Sequence, residues 1–274
     1  MAQQTIVITG ASDGIGAAAA HQLTENGHKV IVVGRSAQKT AAVARAIDAP
    51  FHVADFADLT QVRHLADELT ASCPRIDVLA NNAGGIFGDR EVTVDGYEKT
   101  FQVNHLAPFL LTHLLLPTLI ESNAKVIQTS SIGARIFGNI DIDDLQNEKK
   151  YSPKKAYGDA KLENILFTKE LHRRYFAHGI TAVAFHPGNI ASNFAHQSKG
   201  LFRFVYNNPV TRLMLSSTPK GGAALSWLAD GTPGTTWRPG EYYENKKIAK
   251  TSPQAGDMTL ALQLWDRSAI LAGL

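Results

Sequence analysis

Thr5-Ile6-Val7-Ile8-Thr9-Gly10-Ala11-Ser12-Asp13-Gly14-Ile15-Gly16 opens the chain as a β-branched run that breaks into glycines and passes into an alanine-rich segment over residues 16–26. A run that is apolar throughout, with no alternation, predicts a strand covered on both faces, the condition of a parallel sheet. Residues 30–33, 51–54, 76–80, 125–129 and 180–185 repeat the pattern, and between them lie segments rich in Ala, Leu, Glu and Lys at 37–47, 59–72, 97–120 and 156–178. Strand and helix therefore alternate, which predicts an α/β fold built on a doubly wound parallel β-sheet. The 274 residues, 44% hydrophobic, are enough to bury one sizeable core, so residues 1–274 are read as a single domain.

The glycines fall where the first strand gives way to a helix. Without Cβ atoms the backbone can turn sharply at Gly10, Gly14 and Gly16, and the first amides of the helix face outward, the arrangement that holds a pyrophosphate. In this βαβ context the loop, with Ser12, Asp13 and Ile15 inside it, predicts a dinucleotide site of the Rossmann kind. The second strand ends Val32-Val33-Gly34-Arg35, with no carboxylate to accept ribose hydroxyls. Arg35 suits a 2′-phosphate instead, so NADP(H) is expected over NAD(H). One charge-assisted hydrogen bond of this kind is worth ~1.5–3 kcal/mol. The competing reading of Arg35 is a helix-entry arginine with no ligand. Asp55, followed by Phe56, stands just after the third strand, where it can accept from an adenine amino group. Asn81-Asn82-Ala83-Gly84 closes the fourth strand as a turn able to line the cofactor, although asparagine and glycine are ordinary turn residues.

Tyr157 and Lys161 are four apart in a helical segment, so their side chains share a face. A tyrosine with its usual pKa of ~10 is a poor base at neutral pH, and bringing it toward 7 takes ~4 kcal/mol of preferential stabilisation of the phenolate. The Lys161 ammonium is the obvious source, and it can also donate to a nicotinamide ribose. Ser131, in Thr129-Ser130-Ser131-Ile132-Gly133, ends the fifth strand in the layer where a hydroxyl would hold a substrate oxygen beside Tyr157. Ser130 competes for that role.

These residues together resemble the short-chain dehydrogenase/reductase family, in its single-domain branch. The matched positions are Thr9-Gly10-x-x-x-Gly14-Ile15-Gly16, Asn81-Asn82-Ala83-Gly84, Asn104, Ser131, Tyr157-x-x-x-Lys161 and Pro187-Gly188, in family order from end to end. The resemblance implies that Ser131 orients the substrate, Tyr157 is the general acid/base, Lys161 lowers its pKa and binds ribose, and Asn104 holds a proton-relay water near Lys161. It also implies that Pro187, Gly188 and residues 189–192, Ile190 and Ser192 among them, contact the nicotinamide, with Ser192 where many members carry threonine. Within the family the chain is most similar to retinol-dehydrogenase-like and WW-domain-oxidoreductase-like members, through residues 157–167, Asp144-Leu145-Gln146, Tyr242-Tyr243, Ser252-Pro253-Gln254-Ala255 and Leu264-Trp265. Those relatives commonly carry a membrane anchor or a WW module ahead of the domain, while this sequence starts almost directly at its first strand, so retinoid specificity is not implied. The expected activity is NADP(H)-dependent interconversion of a carbonyl and a primary or secondary alcohol on a hydrophobic small molecule. The rivals are a dinucleotide-sensing regulatory protein without turnover, an NAD-dependent dehydrogenase, and a lyase or epimerase using transient oxidation. The set Asn104, Ser131, Tyr157 and Lys161 argues against a sensor, and the glycine spacing argues against the extended sugar-nucleotide branch.

Composition limits the remaining possibilities. The net charge of +2 is spread along the chain, so nucleic acid is not an expected partner. The ten histidines show no metal-ligand clustering, and His105, His113 and His186 read as helix-face or core residues. Cys73, the one cysteine, cannot form an internal disulfide, and no charged leader is read, so a reducing cytoplasm is expected. The most apolar stretch, 106–120, is interrupted by Pro108, His113 and Pro117 and falls short of the ~20 residues of a spanning helix, so no integral membrane segment is expected. The charged insert at 141–155 reads as a solvated loop. Residues 195–219 are open between a mobile lid over an apolar substrate and an irregular core segment. Segments 101–120 and 162–176 are open between a four-helix contact with a second subunit, giving a homodimer or homotetramer, and one internal core.

Overall fold

A computed structural model describes residues 2–188 and 218–274. The predicted strands form β1 (Thr5–Ile8), β2 (Lys29–Gly34), β3 (Phe51–Val53), β4 (Val78–Asn81), β5 (Lys125–Thr129) and β6 (Thr181–His186). Two further strands, too short to stand out in the sequence, are β7 (Tyr242–Glu244) and β8 (Lys247–Ile248); they extend the sheet to the order β3-β2-β1-β4-β5-β6-β7-β8. All neighbours pair in parallel except β7 with β8. The order steps outward from β1 in both directions, so the carboxyl ends of β1 and β4 flank the switch point where open α/β sheets take ligands.

Helices α1 (Gly14–Glu25), α2 (Ala37–Ala46) and α3 (Leu59–Ser72) follow the first three strands. Their N-caps are Asp13, Ser36 and Asp58, each accepting a backbone N–H from the first turn. The strands are apolar on both faces because each face has its own core. Ile6, Ile8, Val30, Val32, Val78, Ala80 and Ile127 pack with α1 on one side, while Val7, Ile31, Leu79 and Val126 pack with α3 and later helices on the other.

The segment expected as one helix over 97–120 is divided. It runs as α4 (Lys99–Phe101), a π-helical turn (Gln102–Leu106), α5 (Ala107–Leu114) and α6 (Leu116–Glu121). Pro108 has no N–H to return to the carbonyl of Asn104, so a regular α ladder cannot pass that point, and the chain takes a wider turn instead. Beyond β5 come α7 (Gly133–Ile136) and α8 (Pro153–Tyr175), then α9 (Thr218–Asp230) and α10 (Met258–Ala272). The insert before α8 is solvated along its charged side, with Lys149 paired to Asp141 at 3.2 Å, but Leu145 and Asn147 are buried and Asn147 Nδ2 donates to Asp159 at 3.1 Å.

Within one chain, part of the apolar faces of 101–120 and 162–176 is covered internally. Helix α10 lies across them: the Trp265 ring is centred 5.1 Å from Phe109 and 5.7 Å from Phe167, and the Arg174 guanidinium lies 4.7 Å from it. His105 Nε2 meets Ser268 Oγ at 2.8 Å, and Tyr97 donates to the carbonyl of Leu271 at 2.8 Å. Among the described residues no helix is long and apolar enough to cross a membrane, and no cluster of His, Cys, Asp and Glu could hold a metal ion.

Trp265 closes this aromatic cluster, so Trp265→Ala is expected to cost ~3–5 kcal/mol in urea-unfolding stability, whereas Ile270→Ala, on the outer face of the same helix and 70% exposed, is expected to change it by ~0.5 kcal/mol or less.

Candidate active site

The ends of β1, β4 and β5 are tied into one floor. Thr9 Oγ1 accepts from the backbone N–H of both Asn82 and Ala83 at 3.0 Å, Asn82 Nδ2 donates to the carbonyl of Thr9 at 3.0 Å, and Thr129 Oγ1 donates to Asn82 Oδ1 at 3.3 Å. Gly10 has φ +64°, and a Cβ there would stand 2.7 Å from the Ala83 Cα. Only glycine lets the two turns approach so closely. Gly16, early in α1, meets the same demand, since a Cβ there would stand 2.5 Å from the Gly10 carbonyl oxygen. Asp13 Oδ1 accepts from Gly14 N at 2.7 Å, and its other oxygen meets Lys39 Nζ at 3.1 Å.

Above this floor lies a cavity of about 860 Å³. Gly10, Ser12, Asp13, Gly14, Ile15, Asn82, Ala83 and Gly84 line its middle. Arg35, Ser36, Lys39, Asp55 and Phe56 line the region at the ends of β2 and β3, and Ser131, Tyr157, Lys161, Pro187 and Gly188 the region at β5 and β6. The residues fit an elongated dinucleotide: a glycine cradle faces the N-terminus of α1 at the centre, cations stand at the β2 end, and groups able to donate to oxygen stand at the β5 end. Asp55 Oδ1 accepts from Ala57 N at 3.0 Å, which fixes its carboxylate on the wall.

At the β5 end the side chains converge. A Cβ on Gly133 would stand 3.2 Å from Tyr157 Cε1 and 3.4 Å from Ser131 Oγ, so the Tyr157 ring and the Ser131 hydroxyl both border that glycine. Lys161, 2% exposed, donates Nζ to the carbonyl of Thr129 at 3.0 Å and lies 5.6 Å from the centre of the Tyr157 ring. Asn164 Nδ2 donates to the same carbonyl at 3.3 Å. Burial of Lys161 pushes its pKa down to about 7. Ser130 and Ser131 are separated by the strand's pleat. Both border the cavity, but Ser130 is buried and donates to the backbone carbonyl of Lys161 at 2.6 Å, whereas Ser131 is partly exposed and accepts from Gly133 N at 3.1 Å.

Asn104 sits behind the wall, on the π-helical turn. Its Nδ2 donates to the carbonyls of Gly85 and Thr100, and its Oδ1 accepts from Gly85 N at 3.0 Å. The approach to Lys161 passes Gly84, where a Cβ would stand 2.4 Å from Asn104 Oδ1 and 3.1 Å from Lys161 Nζ. Ile190 and Ser192, like most of the 195–219 segment, lie outside the described residues. The wall also holds residues that sequence spacing does not single out: Ser36 and Lys39 beside Arg35, and Ile86, Phe87, Phe137, Lys154 and His186 at the other end. His186, read as a core residue, is buried, and burial lowers its pKa.

Because the folded state holds Lys161 near pKa 7 and the unfolded chain near the ordinary 10.5, the unfolded chain binds the extra proton between those values. Stability from this group therefore rises with pH across pH 7–10.5, and its charge is most costly below 7. In cofactor-free protein, the melting temperature of Lys161→Met minus that of wild type is expected to be larger at about pH 6.5 than at about pH 9.5. A difference that grows with pH would contradict the burial argument.

The family described as "short chain dehydrogenase" matches residues 4–200. The chain is 39% identical over 277 residues to the Streptomyces protein "Putative daunorubicin C-13 ketoreductase DnrU", covering 98% of this chain and 93% of that one. It is 35% identical over 276 residues to mouse retinol dehydrogenase 11, covering 98% and 86%. Among solved structures, an uncharacterized protein from Mycobacterium paratuberculosis superposes with a TM-score of 0.79 at 32% identity, over 99% of this chain and 94% of the other. The chain belongs to the short-chain dehydrogenase family of oxidoreductases, which use nicotinamide dinucleotides.

Proposed function

We propose that the protein interconverts a carbonyl and an alcohol on a hydrophobic small molecule with NADP(H). The observation that carries this reading is that Tyr157 and Ser131 both border Gly133, with the Lys161 ammonium beside the Tyr157 ring, on the wall of a cavity that also holds Arg35 and Lys39. A nicotinamide held there would supply or accept a hydride. Ser131 Oγ holds the substrate oxygen, and Tyr157 gives a proton to that oxygen in reduction or takes it in oxidation. Lys161 would favour the phenolate electrostatically and could donate to a nicotinamide ribose bound beside it, while Asn104 supports the turn beside it and would support a relay to water. Arg35 at the end of β2 supports the 2′-phosphate of NADP(H), with Lys39, shared with Asp13 at 3.1 Å, beside it. The nearby carboxylate of Asp13 is engaged with Gly14 N and Lys39, and so presents less charge against that phosphate.

Removing the phenol oxygen tests the chemistry. Tyr157→Phe is expected to lower kcat by about 10²–10⁴ with the NADPH Kd within about twofold of wild type, and retained turnover would contradict the role. Calorimetric titration tests the cofactor: Arg35→Asp is expected to weaken NADPH by about one to two decades and to leave NADH little changed. Wild-type preference for NADH would overturn the assignment of Arg35 and leave the chemistry standing.

A further inference from the structure

We propose that His105 and Asn164 are positioning residues for the reaction, linking α10 to Lys161 through the carbonyl of Thr129. The inference rests on the oxidoreductase reading above and adds to it two residues that lie behind the cavity wall.

The link runs through buried polar groups. Lys161 Nζ donates to the carbonyl of Thr129 at 3.0 Å, and Asn164 Nδ2, three residues further along α8, donates to the same oxygen at 3.3 Å. At the far end, Ser268 Oγ on α10 lies 2.8 Å from His105 Nε2. Between these ends the imidazole and the Asn164 amide interact, a contact that works to raise the His105 pKa. Their remaining polar atoms, His105 Nδ1 and Asn164 Oδ1, are both buried and have no other partner, and the contact between the two side chains is looser than a full hydrogen bond. His105, Asn164 and Ser268 are each 2% exposed or less.

Donor and acceptor roles follow from one end of this chain to the other. The Thr129 carbonyl requires the Asn164 NH₂ group, which turns Oδ1 to the imidazole; Oδ1 requires Nδ1–H, and that tautomer leaves Nε2 to accept the Ser268 hydroxyl. Burial takes the His105 pKa down to about 3, and no charged side chain among the described residues opposes it, so the ring stays neutral and acts as a support rather than a switch. Phe101, Phe109 and Phe167 surround it, with ring centres 5.7, 6.2 and 6.3 Å away. Apolar side chains of the same shape would fill this space at little cost. A directed polar chain does more, because it fixes where the Thr129 carbonyl points. The ammonium that hydrogen-bonds that carbonyl is thereby held beside the Tyr157 ring, 5.6 Å from its centre.

The test follows kcat/KM against pH, at saturating NADP⁺, for the fastest of a panel of apolar primary and secondary alcohols. The ascending limb reports loss of the Tyr157 proton, and a displaced ammonium favours the phenolate less. Asn164→Leu is expected to move that limb about 0.5 pH unit or more to higher pH, and so is His105→Gln, which keeps a polar atom only at the Nε2 position. His105→Asn keeps a donor at the Nδ1 position and is expected to stay within about 0.2 pH unit of wild type. A merely structural role would lower the melting temperature and the activity and leave the limb in place. That result, or equal movement in His105→Asn and His105→Gln, would overturn the proposal. Where the inner variants do not fold, Ser268→Ala decides: a smaller movement to higher pH is expected, and an unmoved limb would overturn the link. Wild-type turnover with unmoved limbs in the variants sinks this proposal alone. A wild type that binds NADP⁺ and oxidises no alcohol of the panel sinks the oxidoreductase reading and this one with it.

Discussion

The junction between the end of β5 and α8 is the constraint on which the site depends. One carbonyl, that of Thr129, accepts from Lys161 Nζ and from Asn164 Nδ2, while the next residue, Ser130, returns a hydroxyl to the carbonyl of Lys161. The bonds run in both directions, so α8 can neither slide along β5 nor rotate away from it without leaving buried polar groups unpaired, at a cost of ~1–3 kcal/mol each. With α8 fixed, Tyr157 has one place to stand, over Gly133 beside Ser131. The same strand end reaches the other way through Thr129 Oγ1 to Asn82, and Asn82 holds Thr9. A continuous set of hydrogen bonds thus links the glycine turn at β1 to Lys161 on α8.

Holding an ammonium in that junction is costly to the fold. Burial brings Lys161 down to about 7, and the charge is disfavoured where no carboxylate among the described residues offsets it. A phosphate-bearing ligand lying along the same cavity changes that balance, because its negative charge favours the ammonium. On the proposed reading, cofactor binding and the protonation of Lys161 are therefore linked, and a filled cavity would favour the charged form of Lys161. The cavity's fixed charges follow the same logic, with cations at both ends and the acceptor carboxylates Asp13 and Asp55 confined to the β1–β3 side.

Much of this is legible in the sequence. The run from Thr5 to Gly16 carries both a period and a break, and the four-residue spacing of Tyr157 and Lys161 puts them on one helix face whatever surrounds them. What spacing cannot decide is the choice between Ser130 and Ser131. Adjacent strand residues point to opposite faces, and the sequence does not say which face meets α8. In the structure both serines border the cavity, but the Ser130 hydroxyl is committed to the carbonyl of Lys161, while Ser131 is the more exposed of the two. The break in the 97–120 segment has a visible cause in Pro108, but proline predicts an interruption without predicting a π-helical turn that tucks Asn104 behind Gly84. Strands β7 and β8 are too short to carry a period. Lys39, Phe137 and Lys154 reach the cavity through tertiary placement that no local pattern encodes.

Hydride transfer between the nicotinamide and a substrate carbon in this cavity is the central claim. The most direct measurement is to incubate the protein with NADPH carrying deuterium at both C4 positions and an apolar aldehyde, and to read the alcohol by mass spectrometry. A single deuterium on the carbinol carbon is the predicted result. Alcohol formed without deuterium at that carbon, or NADPH bound with no alcohol formed from any of a panel of apolar aldehydes and ketones, would contradict the claim.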